Sequence, residues 1–220
     1  MTEQTRENVI RLAHAVARAG LVIGAGGNIA ARAGSDQLWV TPTGWTLSDL
    51  STDDLVLVSS DGRHLEGTNA ATSELLLHLA ALRVRPDVTC SLHLHPPMAT
   101  LLHALDVEIR MITTDHAFYV RSIATVPYLH PGSAQLADAA ATELASSVDI
   151  VLLRHHGCLV VAETFDLALS RAMNLEAAAE ATYRARLLGD RSTACPPEFL
   201  EHIRSEEAHG RIYGLPNAKR

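Results

Sequence analysis

The chain has 220 residues, 47% apolar and 20% charged, with a formal charge of −7 and a pI near 5.9. This balance excludes a disordered chain and argues against a broad electrostatic grip on nucleic acid or on an anionic membrane. No apolar run reaches the roughly 20 residues that span a bilayer; the polar N-terminus lacks a signal-peptide core, and Cys90, Cys158 and Cys195 have no paired spacing. One globular domain over residues 1–220, in the cytoplasm, is the expectation.

In chain order, residues 7–19 carry Val9, Leu12, Ala13, Val16 and Ala17 at helical spacing and stop at Gly20. The loop Gly24-Ala25-Gly26-Gly27-Asn28 leads into residues 29–32. Residues 37–42 predict a strand that ends in the turn Thr41-Pro42-Thr43-Gly44, and residues 55–59 predict another. A helix over 73–82 is opened by Thr72 and Ser73 as capping candidates. Residues 88–95, 107–113 and 122–126 predict strands, and 134–146 an alanine-rich helix. Residues 149–154 and 158–162 predict a strand and its antiparallel continuation, followed by a long helix over 165–188 and a short one over 199–208. Strict βαβ alternation is absent, which predicts a mainly antiparallel sheet covered by helices.

Ser91-Leu92-His93-Leu94-His95-Pro96 carries the most chemistry. Side chains alternate along a strand, so His93 and His95 share one face while Leu92 and Leu94 share the other. Two adjacent imidazoles make a poor core and a good chelate for a divalent ion. Arg154-His155-His156-Gly157 offers a third ligand, with Gly157 free to turn the backbone beside the metal. Spacing does not say which of His155 and His156 would bind. Glu74, at the start of its helix, is the candidate carboxylate. Three neutral imidazoles favour Zn2+, and also suit Mn2+, Co2+ or Fe2+.

Three segments have the chemistry of an anion cradle: Gly26-Gly27-Asn28, Thr41-Pro42-Thr43-Gly44 and Thr72-Ser73 at a helix start. None is a P-loop or a dinucleotide fingerprint. His14, His64, His78 and His103 read as surface or packing residues.

Together with Glu66-Gly67, Ser73-Glu74 and Tyr213-Gly214-Leu215, these motifs resemble the class II aldolase/adducin family over nearly the whole chain and in the family's order. The resemblance implies a three-layer α/β/α fold around a mainly antiparallel sheet, and a cyclic homotetramer with interfacial active sites. It implies His93, His95 and His156 as zinc ligands, choosing His156 over His155. Glu74 becomes the carboxylate that binds metal at rest and acts as acid and base in turnover. Gly27, Asn28, Thr43, Gly44, Thr72 and Ser73 become the phosphate site, and Tyr213 lies near the reacting carbons. A further tyrosine of the family, which reaches across the subunit interface as proton donor, has no counterpart in Met111-Ile112-Thr113-Thr114-Asp115-His116. Asp115, His116 or Tyr119 substitutes, or the reaction differs.

The implied activity is reversible cleavage of a small ketose 1-phosphate to dihydroxyacetone phosphate and an aldehyde, through a metal-stabilised enediolate. Epimerisation of a pentulose phosphate, decarboxylation of a phosphorylated keto acid and dehydration of a sugar phosphate are alternatives on the same site. A non-catalytic, adducin-like binding module would require loss of the metal ligands, and all of them are present.

Overall fold

The computed structural model describes residues 2–146 and 148–208. Its centre is an eight-stranded sheet formed by β1 (Asn28–Arg32), β2 (Gln37–Val40), β3 (Val56–Ser59), β4 (His64–Glu66), β5 (Cys90–Leu94), β6 (Ile123–Val126), β7 (Ile150–Leu153) and β8 (Gly157–Ala162). The strand order is β4-β3-β2-β1-β5-β8-β7-β6. Every adjacent pair is antiparallel except β6–β7. That single parallel pair is bridged by α5 (Ala134–Leu144), as a parallel connection requires.

Strand alternation sorts the sheet into two apolar faces. Cys90, Leu92 and Leu94 face a layer of α1 (Thr2–Arg18), α3 (Pro97–Ala104) and α6 (Phe165–Leu187), which contribute Val9, Leu102 and Leu175 among others. Ala30, Val40, Val58, Leu159 and Val161 face α2 (Leu75–Val84) and α5, through Leu77, Ala81, Leu136 and Leu144. This is the expected α/β/α arrangement. The β7–β8 hairpin and the long α6 also match their periodicities.

The structure departs from, or adds to, the sequence reading at four places. Residues 107–113 form no strand: Val107 N–H donates to the Leu102 carbonyl, Arg110 N–H to Thr182 Oγ1, and the Met111 carbonyl accepts from Cys195 N–H. Their backbone groups are used by a helix end, a side chain and the C-terminal segment, so no ladder is left to form. A helix not read from the sequence follows β5 directly, since Pro97 opens α3 with its pre-set φ. Residues 114–119, unassigned in the sequence, form α4 (Thr114–Tyr119), with Thr113 Oγ1 accepting from His116 N–H at its start. Finally, α2 begins at Leu75 with Glu74 in the capping position. Thr72 Oγ1 accepts the Glu74 N–H at 3.2 Å, and neither Thr72 nor Ser73 caps the helix directly. The last helix among the described residues, α7 (Pro197–Ala208), packs against α4.

Candidate metal centre and its surroundings

β5 and the β7–β8 turn end side by side, since Leu94 pairs with Cys158 and Leu153 with Gly157. Three imidazoles meet there. His93, His95 and His156 each offer a ring nitrogen within 4.8 Å of the others. His93 Nε2 and His95 Nε2 are 3.0 Å apart. Two nitrogens at 2.0–2.1 Å from one tetrahedral ion would be separated by about 3.3 Å.

The choice between the two adjacent histidines is made by the turn. His155 holds a left-handed φ of 56° and is exposed, while His156 turns inward. Gly157 therefore does not make the turn. It is the first residue of β8 and supplies space: a Cβ on it would lie 2.6 Å from His95 Cδ2 and 2.2 Å from the Leu94 carbonyl oxygen. Gly26 clears the other side of the same ring, where a Cβ would lie 2.8 Å from His95 Nδ1.

The donor set fits a divalent cation. His93 Nδ1 lies 3.0 Å from the Cys158 carbonyl oxygen, which makes Nδ1 the protonated nitrogen and leaves the Nε2 lone pair free. Burial, then the neighbouring His156 and His95, pushes the His93 imidazole well below its ordinary value. Burial, then His156, lowers His95, and burial lowers His156. All three rings are thus neutral, as ligation of a metal ion would require. Among the described residues, buried His156 Nδ1 and Glu74 Oε2 have no hydrogen-bond partner, and Glu74 Oε1 lies 3.8 Å from His156 Nε2. Orphaned buried polar atoms around converging lone pairs are what an ion would satisfy. Burial raises the Glu74 carboxyl, opposed by the Gly132 amide and by the charge of His130.

The three candidate anion segments are neighbours. Ile29 N–H donates to Thr41 Oγ1, Thr72 N–H to the Thr41 carbonyl and Thr43 N–H to the Ala70 carbonyl. Gly27 and Asn28 thereby stand next to Thr43 and Gly44, which are exposed, and to Thr72 and Ser73. Asn28 pairs across the ladder with His93, so cradle and histidines adjoin. Gly27 needs to be glycine: its φ is +78°, and a Cβ would lie 2.4 Å from Val22 Cγ1.

Asp115 and His116 are not brought to the histidines within one chain. They lie on α4, which packs on α6 and α7 on the opposite side of the sheet from Glu74. Asp115 is exposed. His116 is buried, its Nδ1 without a partner among the described residues and its imidazole lowered by burial. Tyr213 lies outside the described residues.

Two supporting residues escaped the sequence reading. His78, taken for a packing residue, is wholly buried between Asn28 and Ser91. Its position one helical turn after Glu74 was the available signal. Glu176 accepts from Met98 N–H at 2.8 Å and Ala99 N–H at 2.9 Å, capping α3 directly after His95-Pro96. Nothing local to position 176 announces this.

A family model of the class II aldolase and adducin N-terminal domain matches residues 7–183. An L-fuculose phosphate aldolase of Methanocaldococcus jannaschii is 32% identical over 73% of this chain and 86% of its own. A 5-deoxy-D-ribulose 1-phosphate aldolase of Bacillus thuringiensis is 28% identical over 96% and 99%. A 3-oxo-tetronate 4-phosphate decarboxylase of Escherichia coli is 31% identical over 86% and 89%. Among solved structures, an L-fuculose 1-phosphate aldolase shares the fold with a TM-score of 0.85 at 23% identity, over 94% of this chain and 98% of its own. With its central sheet, its histidine cluster and this match over most of its length, the chain belongs to the class II aldolase and adducin family.

Proposed function

We propose that the chain, as a single domain over residues 1–220, is a zinc-dependent aldolase that cleaves a small ketose 1-phosphate reversibly to dihydroxyacetone phosphate and an aldehyde. The observation that carries the reading is the meeting of three neutral imidazoles with the buried, half-unpartnered carboxylate of Glu74. Relatives named for aldolase activity on fuculose phosphate and deoxyribulose phosphate support the substrate class. Zinc is preferred because three neutral nitrogen donors suit it, as they also suit Mn2+, Co2+ or Fe2+.

An ion held by His93, His95 and His156 supplies positive charge against the negative charge that develops on the substrate carbonyl oxygen, worth several kcal/mol of barrier. Glu74 gives a proton to C3 after the C3–C4 bond has broken in cleavage, and removes that proton from dihydroxyacetone phosphate in condensation, a task suited to a carboxyl raised by burial when it is free of the ion. Asn28, the backbone of Gly27 and Gly44, and the hydroxyls of Thr43, Thr72 and Ser73 bind the phosphate. Asp115 or His116, and Tyr213, exchange the proton at the aldehyde oxygen. With α4 on the far side of its own sheet, Asp115 and His116 act in a neighbouring subunit's site, as a cyclic homotetramer allows. Three free, buried thiols support a cytoplasmic setting.

The second reading, decarboxylation of a phosphorylated 3-keto acid, is favoured by the decarboxylase relative. Zinc-loaded protein is incubated with L-fuculose 1-phosphate, ribulose 1-phosphate and 3-oxo-tetronate 4-phosphate, with coupled detection of dihydroxyacetone phosphate and of carbon dioxide. Triose phosphate released from a ketose 1-phosphate, without carbon dioxide, is the expected result; carbon dioxide and triose phosphate together from the four-carbon keto acid, with neither ketose cleaved, selects the second reading. Failure of the protein to take up zinc, with neither product formed, leaves a binding module.

A further inference from the structure

We infer that His78 is a positioning residue for the phosphate side of the site: it holds the Asn28 carboxamide with the oxygen turned inward and the NH2 group presented to an anion. This rests on reading Gly27 and Asn28 as part of a phosphate cradle.

The β1–β5 register sets Asn28 opposite His93 and Ala30 opposite Ser91, all on the face that α2 covers. His78 reaches from α2 onto this face and is 0% exposed. Its Nε2 lies 2.7 Å from Asn28 Oδ1 and its Nδ1 lies 2.9 Å from Ser91 Oγ. Burial pushes the imidazole down to about 3, so the ring is neutral, with one donor and one acceptor.

Two arrangements satisfy the distances. In the first, the Ser91 hydroxyl donates to Nδ1 and Nε2–H donates to Asn28 Oδ1. In the second, Nδ1–H donates to Ser91 and the amide is turned round, so that its NH2 donates to Nε2. Ser91 decides between them. It is 0% exposed, and among the described residues its hydroxyl has no other partner. The second arrangement strands that buried hydroxyl proton, at about 1–3 kcal/mol. The first satisfies every group in the chain and leaves only the Asn28 NH2 unpartnered.

That NH2 has no partner among the described residues, and it is not sealed from solvent. A carboxamide left to itself turns either end outward, and an outward oxygen would repel phosphate. His78 therefore sets the sign of the dipole that Asn28 offers.

The test uses full-length, zinc-loaded protein and inorganic phosphate as the probe, titrated calorimetrically, with metal content measured in parallel. Asn28→Ala and His78→Leu should each weaken phosphate binding about tenfold with the metal content unchanged, the loss of one hydrogen bond to a charged group. His78→Gln, which keeps a donor for Asn28, should stay within about threefold of the parent. A merely structural role of His78 would not single out phosphate while sparing the metal, nor be rescued by glutamine. Undiminished binding in His78→Leu, with Asn28→Ala weakened, overturns this inference and leaves the phosphate cradle standing. No phosphate binding by the parent protein removes both. Where His78→Leu does not fold, imidazole nitrogen NMR of the parent decides: protonated Nε2 is expected at neutral pH, and protonated Nδ1 overturns the inference.

Discussion

Gly157 and His95 meet so closely that a single methyl group on Gly157 would fall 2.6 Å from the imidazole Cδ2. The same carbon would lie 2.2 Å from the Leu94 carbonyl oxygen, inside the β5–β8 ladder. Backbone strain is not the reason for glycine here; room is. Gly157→Ala should shift His95 and the hairpin together, at about 1–3 kcal/mol of stability, and weaken zinc retention at least about tenfold. Competition against a chelator, with a denaturant melt on the same sample, checks both. Retention equal to the parent would show that the ladder gives way without moving the ring.

Glu74→Gln should keep the ion and lose turnover. Removing a general acid–base group costs about 10² to 10⁴ in kcat. The direction of the pH effect follows from burial, which raises the carboxyl and extends its protonated form to higher pH than usual. A base must be deprotonated, so kcat should rise with pH through a midpoint above the ordinary carboxylate range, and the glutamine variant should lack that limb. A variant with parental kcat would remove Glu74 from the chemistry.

Glu176 holds two backbone N–H groups at the start of α3, three residues after His95. Glu176→Ala leaves both unsatisfied and removes a negative charge from a helix N-terminus. The expected loss is about 1–2 kcal/mol, together with a several-fold faster release of zinc as the Pro96-Pro97 anchor loosens. Urea midpoints and stopped-flow chelation measure the two effects separately.

His78 makes stability depend on pH. In the unfolded chain its imidazole takes up a proton near 6.5, whereas in the fold it does so only near 3. Between those values the unfolded chain binds more protons, so stability is complete above 6.5 and falls as acid is added. One such group changes stability by about 2 kcal/mol from pH 7 to pH 5. Urea unfolding of the parent and of His78→Gln should therefore differ in pH slope by about that amount, the parent being steeper. Parallel slopes would place the His78 proton elsewhere.

Local periodicity carried much of this protein in the sequence. Alternation alone put His93 and His95 on one face, and the apolar runs on both sides of His155-His156 marked the β7–β8 hairpin. The 3.6-residue pattern delimited α6 nearly to the residue. What alternation and helical spacing encode is the face a side chain takes within its own segment. They are silent wherever backbone groups are satisfied by distant partners, as in residues 107–113, or where a turn departs from extended geometry, as at His155. The nearness of Glu74 to His156, the clearance that Gly26 and Gly157 give to His95, the Glu176 cap and the Ser91–His78–Asn28 chain all join elements far apart in the sequence. Only the folded sheet decides them, because hydrogen bonds and steric contacts act over a few ångströms of space, whatever the length of chain between the partners.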